Sequence, residues 1–315
     1  MTDIIFIPAF SSAIGIGHLM RSLNLARLFQ DRGANVKFFA QNRETEQKVI
    51  SEGFECSDKN IGQRLTVIDD YSKDYIFHNQ IKVGKIMVID DLANRKLNCD
   101  FLLDSNLRED KKNPYLKLIK KETKCFLGIE YIVLNKQYYL PKESNLKKYV
   151  LVFLTGGNDK GLTLLFLKLL VKKNLQIKCV VGSLNPNLLQ ILKFCFSNNI
   201  ELFIDTKEMA SLVAEADFCI GSFGTSTWER LFFTKPTLGV ELADNQAQIA
   251  KIVDSQGLAI NLGKIENITE KVIENGIVKI LSKKETIRQN IIKSGIANKI
   301  SLNIHNMIDI ILLEI

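Results

Sequence analysis

Apolar residues in this chain fall into short unbroken runs that alternate with amphipathic stretches. Ile4-Ile5-Phe6-Ile7 is followed by a loop and then by Leu19, Leu23, Ala26 and Phe29, spaced to share one face of a helix. Val36-Lys37-Phe38-Phe39-Ala40 predicts a second strand and Lys85-Ile86-Met87-Val88-Ile89-Asp90 a later one, with Phe101-Leu102-Leu103 and Cys125-Phe126-Leu127 as shorter candidates. Runs that are apolar along their whole length and separated by helices imply parallel strands covered on both faces. The pattern lapses between Gln137 and Lys148, around Pro141, Lys142, Glu143, Ser144 and Asn145, which is the best candidate for a linker. It then restarts. Tyr149 to Leu154 reads as a strand, Thr155-Gly156-Gly157-Asn158-Asp159 as a turn and Leu162 to Leu170 as the start of a helix, with further strands at Ile177–Val181, Ile200–Ile204, Phe218–Ile220 and Thr237–Glu241.

This repetition predicts an α/β protein of two Rossmann-like, doubly wound domains facing a cleft, the arrangement of a glycosyltransferase-B-like pair. The expected domains are 1–140 and 149–315, the last helix being a candidate to return across the first, and 315 residues suit two cores better than one. Each half carries a glycine-rich turn after its first strand, so the active site is expected in the cleft.

Composition narrows the function classes. The net charge is +7, but the basic residues are scattered without interleaved aromatics, which argues against nucleic acid and suits a small anionic substrate. Six cysteines lie far apart with no Cys-x-x-Cys pair, and there are three histidines, so neither a zinc site nor a disulfide framework is signalled. Cys179 and Cys219 sit in apolar runs and read as buried free thiols, which places the chain in a reducing cytoplasm. The N-terminal apolar stretch is too short for a signal peptide, and no run of about 18 apolar residues predicts a membrane span.

Candidate chemistry concentrates after strands. In Ser11-Ser12-Ala13-Ile14-Gly15-Ile16-Gly17-His18, Gly15 and Gly17 allow close backbone approach, and His18 falls in the first turn of a helix whose partial positive charge favours a neutral, proton-accepting imidazole. A turn whose histidine merely caps the helix accounts for the same pattern. Gly156 and Gly157 mirror the first loop in the second half, where a tight turn is the alternative. The densest segment is Gly221-Ser222-Phe223-Gly224-Thr225-Ser226-Thr227-Trp228-Glu229-Arg230, followed by Pro236-Thr237, Glu241 and Asn245-Gln246. Small hydroxyl residues opening a helix offer donors to a diphosphate, and Glu229 could accept both hydroxyls of a ribose. Asp90-Asp91 at a strand end presents a carboxylate toward the cleft or caps the next segment.

At these residues the chain resembles the UDP-2,4-diacetamido-2,4,6-trideoxy-β-L-altropyranose hydrolases of pseudaminic acid biosynthesis. The matching stretches are 11 to 26, Ile-Asp-Asp-Leu-Ala-Asn-Arg at 89 to 95, Cys-Asp-Phe-Leu-Leu-Asp-Ser-Asn at 99 to 106, Thr-Gly-Gly-Asn-Asp at 155 to 159, Ser-Thr-Trp-Glu-Arg at 226 to 230, and Val-Glu-Leu-Ala-Asp-Asn-Gln at 240 to 246. The resemblance implies an inverting hydrolase that needs no metal or other cofactor and cleaves the bond between the anomeric carbon and UDP. It assigns His18 to the attacking water, Ser226, Thr227 and Glu229 to phosphate and ribose, and Asn245 and Gln246 to the sugar and diphosphate. Gly15, Gly17, Asp91, Gly156 and Gly157 complete the expected substrate contacts. Val133-Leu134-Asn135 and Leu92 depart from the family pattern and leave the sugar open. A glycosyltransferase of the same fold and a catalytically silent UDP-sugar binder are the alternatives. The expected partner is a UDP-sugar, with neither nucleic acid nor membrane, and the oligomeric state is left open, a monomer included.

Overall fold

The computed structural model describes residues 3–10, 17–58, 64–107, 113–140 and 149–315. The loop residues 11–16, Gly15 among them, and the linker residues 141–148 lie outside the described set. The chain divides into two compact units, Met1–Asn135 with Ile300–Ile315, and Lys136–Lys299.

The first unit is built on seven parallel strands: β1 (Asp3–Pro8), β2 (Asn35–Phe38), β3 (Glu55–Cys56), β4 (Leu65–Asp69), β5 (Lys85–Ile89), β6 (Phe101–Asp104) and β7 (Lys124–Leu127), in the order β3-β2-β1-β4-β5-β6-β7. Helices α1 (Gly17–Gln30), α2 (Arg43–Ser51) and α3 (Tyr75–Gln80) connect the early strands. The strands alternate between two cores, as their period of two requires. Ile4 and Phe6 join Phe29, Phe38 and Met87 on one face, while Ile5 and Ile7 join Ile68, Val88 and Tyr115 on the other. Asn42 caps α2 by accepting from the Thr45 N–H at 2.8 Å, and Asp74 caps α3 from Ile76 and Phe77.

The second unit repeats the plan with six parallel strands: β8 (Tyr149–Phe153), β9 (Gln176–Val181), β10 (Glu201–Ile204), β11 (Phe218–Ser222), β12 (Thr237–Glu241) and β13 (Ile260–Lys264), ordered β10-β9-β8-β11-β12-β13. Its helices are α4 (Leu162–Val171), α5 (Leu188–Ser197), α6 (Met209–Glu215), α7 (Ser226–Phe232), α8 (Ala247–Ser255), α9 (Glu270–Ser294) and α10 (Ile296–Lys299). The last helix, α11 (Ile304–Glu314), buries Ile304, Met307, Ile308 and Ile311 in the core of the first unit. The segment 300–315 therefore packs with the N-terminal strands, not with the rest of the stretch 149–315.

Strands β3, β4 and β13 stand where the hydrophobic pattern alone predicts none. β3 has two residues, β13 is an edge strand carrying Asn261 and Lys264, and β4 has Thr66 in its middle. In both sheets the strand order reverses beside the first strand of the unit, between β1 and β4 and between β8 and β11. Chains leave for opposite faces there, which opens a crevice at the C-terminal ends of those strands.

Candidate functional site

At the first reversal, β4 ends in Asp69 and α1 brings His18, Arg21 and Ser22 over it, residues whose spacing puts them on one helical face. Asp69 is fully buried. Its carboxylate meets His18 Nδ1 at 2.6 Å and accepts from Arg21 Nη2 at 2.6 Å, from Arg21 Nε at 2.9 Å and from Ser22 Oγ at 3.3 Å. Burial alone would raise its pKa, but the Arg21 guanidinium and the His18 contact hold it at about 2. An ionised carboxylate only accepts, so the proton in the 2.6 Å contact belongs to His18 Nδ1. Nε2 is then the imidazole nitrogen left free of Asp69, with its lone pair available whenever the ring is neutral. Arg21 Nη2, 3.3 Å from Nδ1, is a packing neighbour because both groups are donors.

Asp91 extends this constellation. It pairs with Arg21 Nη1 at 3.6 Å and accepts from the Tyr71 hydroxyl. The Tyr71 ring meets His18 edge-on, with centroids 4.6 Å apart and planes at 83°. Burial and the neighbouring Asp91 push the phenol pKa far up, so Tyr71 stays a neutral donor. Asp90, beside it in sequence, is buried and accepts from the Ala93 N–H at 2.9 Å, the Tyr115 hydroxyl at 3.0 Å and Arg95 Nη1 at 2.5 Å. Of the two adjacent acids, Asp90 is the local organiser and Asp91 faces the histidine group. Gly17 opens α1, and a Cβ there would meet nothing within 4 Å.

At the second reversal, Gly156 follows β8 and lies directly against Gly182, where an added Cβ would fall 1.8 Å from the Gly156 carbonyl oxygen. Gly157 has open space around it, and its N–H donates to Thr155 Oγ1 at 3.3 Å. Asp159 caps α4 by accepting from the Gly161 and Thr163 N–H groups. Around α7, the buried Arg230 ties the turn together: it donates to the Ser222 carbonyl at 2.5 Å and to Ser226 Oγ at 2.9 Å. Thr227 points inward, 2% exposed, with its hydroxyl on the Ser222 carbonyl at 3.4 Å. The Thr227 hydroxyl is thus engaged within the turn, where Arg230 Nη2 also lies 3.4 Å away.

Ser226, Glu229 and Arg230 are the polar lining of a small cavity whose apolar walls include Phe153, Met209 and Cys219. Burial raises the Glu229 pKa, and Tyr138 and Arg230 offset only part of that. The Tyr138 hydroxyl is buried beside it, without a hydrogen-bond partner of good geometry among the described residues. Asn245 is exposed in the turn before α8, while Gln246 accepts from the Leu242 N–H at 2.9 Å and lies near Gly224.

The structure thus joins His18 with Asp91 in the first unit and Ser226 with Glu229 in the second. Sequence reasoning missed Arg21, Asp69 and Tyr71 in the first unit and Tyr138 in the second. A signal was present for Asp69: Val67-Ile68-Asp69-Asp70 repeats the tetrapeptide Val88-Ile89-Asp90-Asp91. Among the described residues, no group of three or more His, Cys, Asp or Glu side chains could hold a metal ion, and no helix is long and apolar enough to cross a membrane.

No family model matches the chain. Over 277 residues it is 29% identical to the UDP-2,4-diacetamido-2,4,6-trideoxy-beta-L-altropyranose hydrolase of Campylobacter jejuni subsp. jejuni, covering 82% of this chain and 98% of that one. Among solved structures, UGT89C1 of Arabidopsis thaliana, complexed with quercetin, superposes with a TM-score of 0.69 at 10% identity, covering 100% of this chain and 99% of that one. MurG of Acinetobacter baumannii gives 0.62 at 12% identity, covering 98% and 99%. The fold is α/β with two Rossmann-like units, glycosyltransferase-B-like.

Proposed function

From its resemblance to the UDP-2,4-diacetamido-2,4,6-trideoxy-beta-L-altropyranose hydrolases, we propose that this chain hydrolyses a UDP-linked diacetamido-trideoxyhexose to the free sugar and UDP, with His18 as general base. The observation that carries this reading is the pairing of His18 Nδ1 with an ionised, fully buried Asp69 at 2.6 Å, in a chain of which 82% matches a hydrolase. Asp69 fixes the tautomer and the ring orientation, and Arg21 fixes Asp69.

In the proposed reaction a water oxygen attacks the anomeric carbon from the face opposite UDP. The bond from that carbon to the UDP oxygen breaks, and its electron pair leaves with UDP. The water proton passes to His18 Nε2, and the configuration at the anomeric carbon inverts. UDP is already a good leaving group, so positioning and charge stabilisation are the main requirements and the reading uses no metal. Glu229, a half-buried carboxylate in an otherwise largely apolar cavity, is assigned to the ribose hydroxyls. Gly156, Gly157 and Ser226 are assigned to the diphosphate, with Asn245 and Gln246 near the sugar. Six unpaired cysteines accord with a reducing compartment, which we take to be the cytoplasm.

Transfer to an acceptor hydroxyl is the second reading, favoured by the fold shared with a spinosyn rhamnosyltransferase. Incubation with a panel of UDP-sugars decides between them. UDP release without any acceptor supports hydrolysis, and release that requires an acceptor replaces hydrolysis with transfer.

A further inference from the structure

Arg95 lies just after β5, in the segment that Asp90 organises. Its Nη1 donates to the Asp90 carboxylate at 2.5 Å, and its guanidinium carbon sits over the Tyr71 ring, 5.5 Å from the centroid. Nε and Nη2 are buried and have no hydrogen-bond partner among the described residues. A guanidinium carries five N–H donors, so one ion pair does not account for burying it. Nη1 also reaches Asn94 Oδ1 at 3.5 Å, and the face of Tyr71 is a further group that stabilises the cation. Asp90 gives the clamp a fixed base, since it is 1% exposed and also accepts from the Leu92 and Ala93 N–H groups and from Tyr115.

Tyr71 is therefore gripped by three groups of different kinds. Arg95 covers its ring, Asp91 takes its hydroxyl and His18 rests against it edge-on. Asp91 also pairs with Arg21, whose bidentate hold fixes Asp69. A ring free to turn at Tyr71 would loosen the wall behind the imidazole and release one of the two partners that orient Asp91.

We propose that Arg95 is a positioning residue for His18: by clamping the Tyr71 ring it keeps the imidazole in the one orientation that Asp69 also selects. This rests on the reading of His18 as the base of a UDP-sugar hydrolase. Arg95 touches none of the reacting atoms, so its loss affects the chemical step and leaves UDP binding, assigned to the second unit, unchanged.

The test compares UDP release by the wild-type chain with release by Arg95→Met and Arg95→Lys. For Arg95→Met, kcat falls roughly ten- to a hundredfold, the range a small misplacement of a reacting group produces. KM and inhibition by UDP stay within about twofold, and Arg95→Lys, which keeps a cation beside Asp90 and Tyr71, recovers part of kcat. In a Tyr71→Leu background, adding Arg95→Met brings no further loss, because both act through one ring. A kcat within about twofold of wild type for Arg95→Met, or a full additional loss in the Tyr71→Leu background, overturns the proposal. Should Arg95→Met fail to fold because Asp90 is left as an unpaired buried charge, the double variant Asp90→Asn, Arg95→Gln decides the matter. A lowered kcat with unchanged UDP affinity supports the clamp, and an unchanged kcat overturns it. A wild-type chain that releases no UDP from any UDP-sugar overturns the hydrolase reading itself, and this inference with it.

Discussion

With Nδ1 committed to Asp69, His18 has Nε2 left for chemistry, and changes at the two residues should have different signatures. His18→Ala removes the proposed base and is expected to lower turnover by roughly two to four orders of magnitude, with UDP affinity nearly intact. Normal turnover in that variant would sink the assignment. Asp69→Asn keeps the shape but lets the imidazole take the other tautomer, and turnover is expected to fall by about two orders of magnitude or more. Asp69 also links the site to acid stability. Its folded pKa of about 2 lies below the usual carboxylate value, so its contribution is complete above about pH 4 and is lost as the pH falls toward 2. In the second unit, Glu229→Gln keeps the volume of the side chain and removes the charge that a pair of ribose hydroxyls would address. UDP affinity measured by calorimetry is expected to fall about tenfold, the worth of a hydrogen bond to a charged group. An unchanged affinity would remove Glu229 from the ribose. His18 and Glu229 could be nominated from the sequence because each stands in a dense local motif. Asp69 and Tyr71 were not, because their partners lie far away in sequence: His18 is 51 residues before Asp69 and Asp91 is 20 residues after Tyr71.

At the scale of elements, the strands that were legible are those apolar on both faces, since a run such as Ile4 to Ile7 needs no other context. β4 was not, although it carries Asp69. Its Thr66 breaks the run, and only pairing with β1 and β5 makes its five residues a central strand. The loop after β8 shows the same limit in another form. Gly156 and Gly157 look equivalent in sequence, yet the structure separates them. Gly182→Ala would drive a methyl group into the Gly156 backbone, where nothing flexible can yield, and should destabilise the second unit by roughly 2 to 4 kcal/mol in a denaturant titration. Gly157→Ala has room, so stability is expected to change little. UDP affinity in that variant then reports directly on the diphosphate assignment, and full retention would take Gly157 out of the contact set.

For the whole molecule, the two units should respond differently to acid. His78, at the C-terminal end of α3, is buried without a partner at Nε2 among the described residues, and its Nδ1 accepts from the Asn98 N–H at 3.2 Å. Burial, with Arg95 nearby, pushes its pKa down to about 4. The unfolded chain, with an ordinary imidazole near 6.5, takes up that proton first, so the first unit loses stability as the pH falls from about 6.5 to 4, by roughly 3 kcal/mol. Hydrogen exchange of the strands of the first unit across that range checks this, and His78→Gln, which keeps an acceptor, should flatten the response. A response that persists in the variant would assign the loss elsewhere. That a chain of 315 residues forms two repeated α/β units could be read from the restart at Tyr149. The recruitment of the final helix to the first unit was an expectation drawn from the fold class and not from the helix itself, because an amphipathic helix does not name the face it will cover.

That recruitment orders events during synthesis. The second unit is one contiguous stretch, Lys136–Lys299, and can close as soon as it clears the ribosome. The first unit cannot, because Ile304, Met307, Ile308 and Ile311 fill its core. At ribosomal rates of about 5 to 20 residues per second, its strands wait roughly ten to forty seconds for that filling, with apolar surface uncovered. The half of the chain that carries His18 is thus made first and finished last. Removal of Ile304–Glu314 should therefore leave the first unit with an open core while the second still folds, a consequence of where one helix docks.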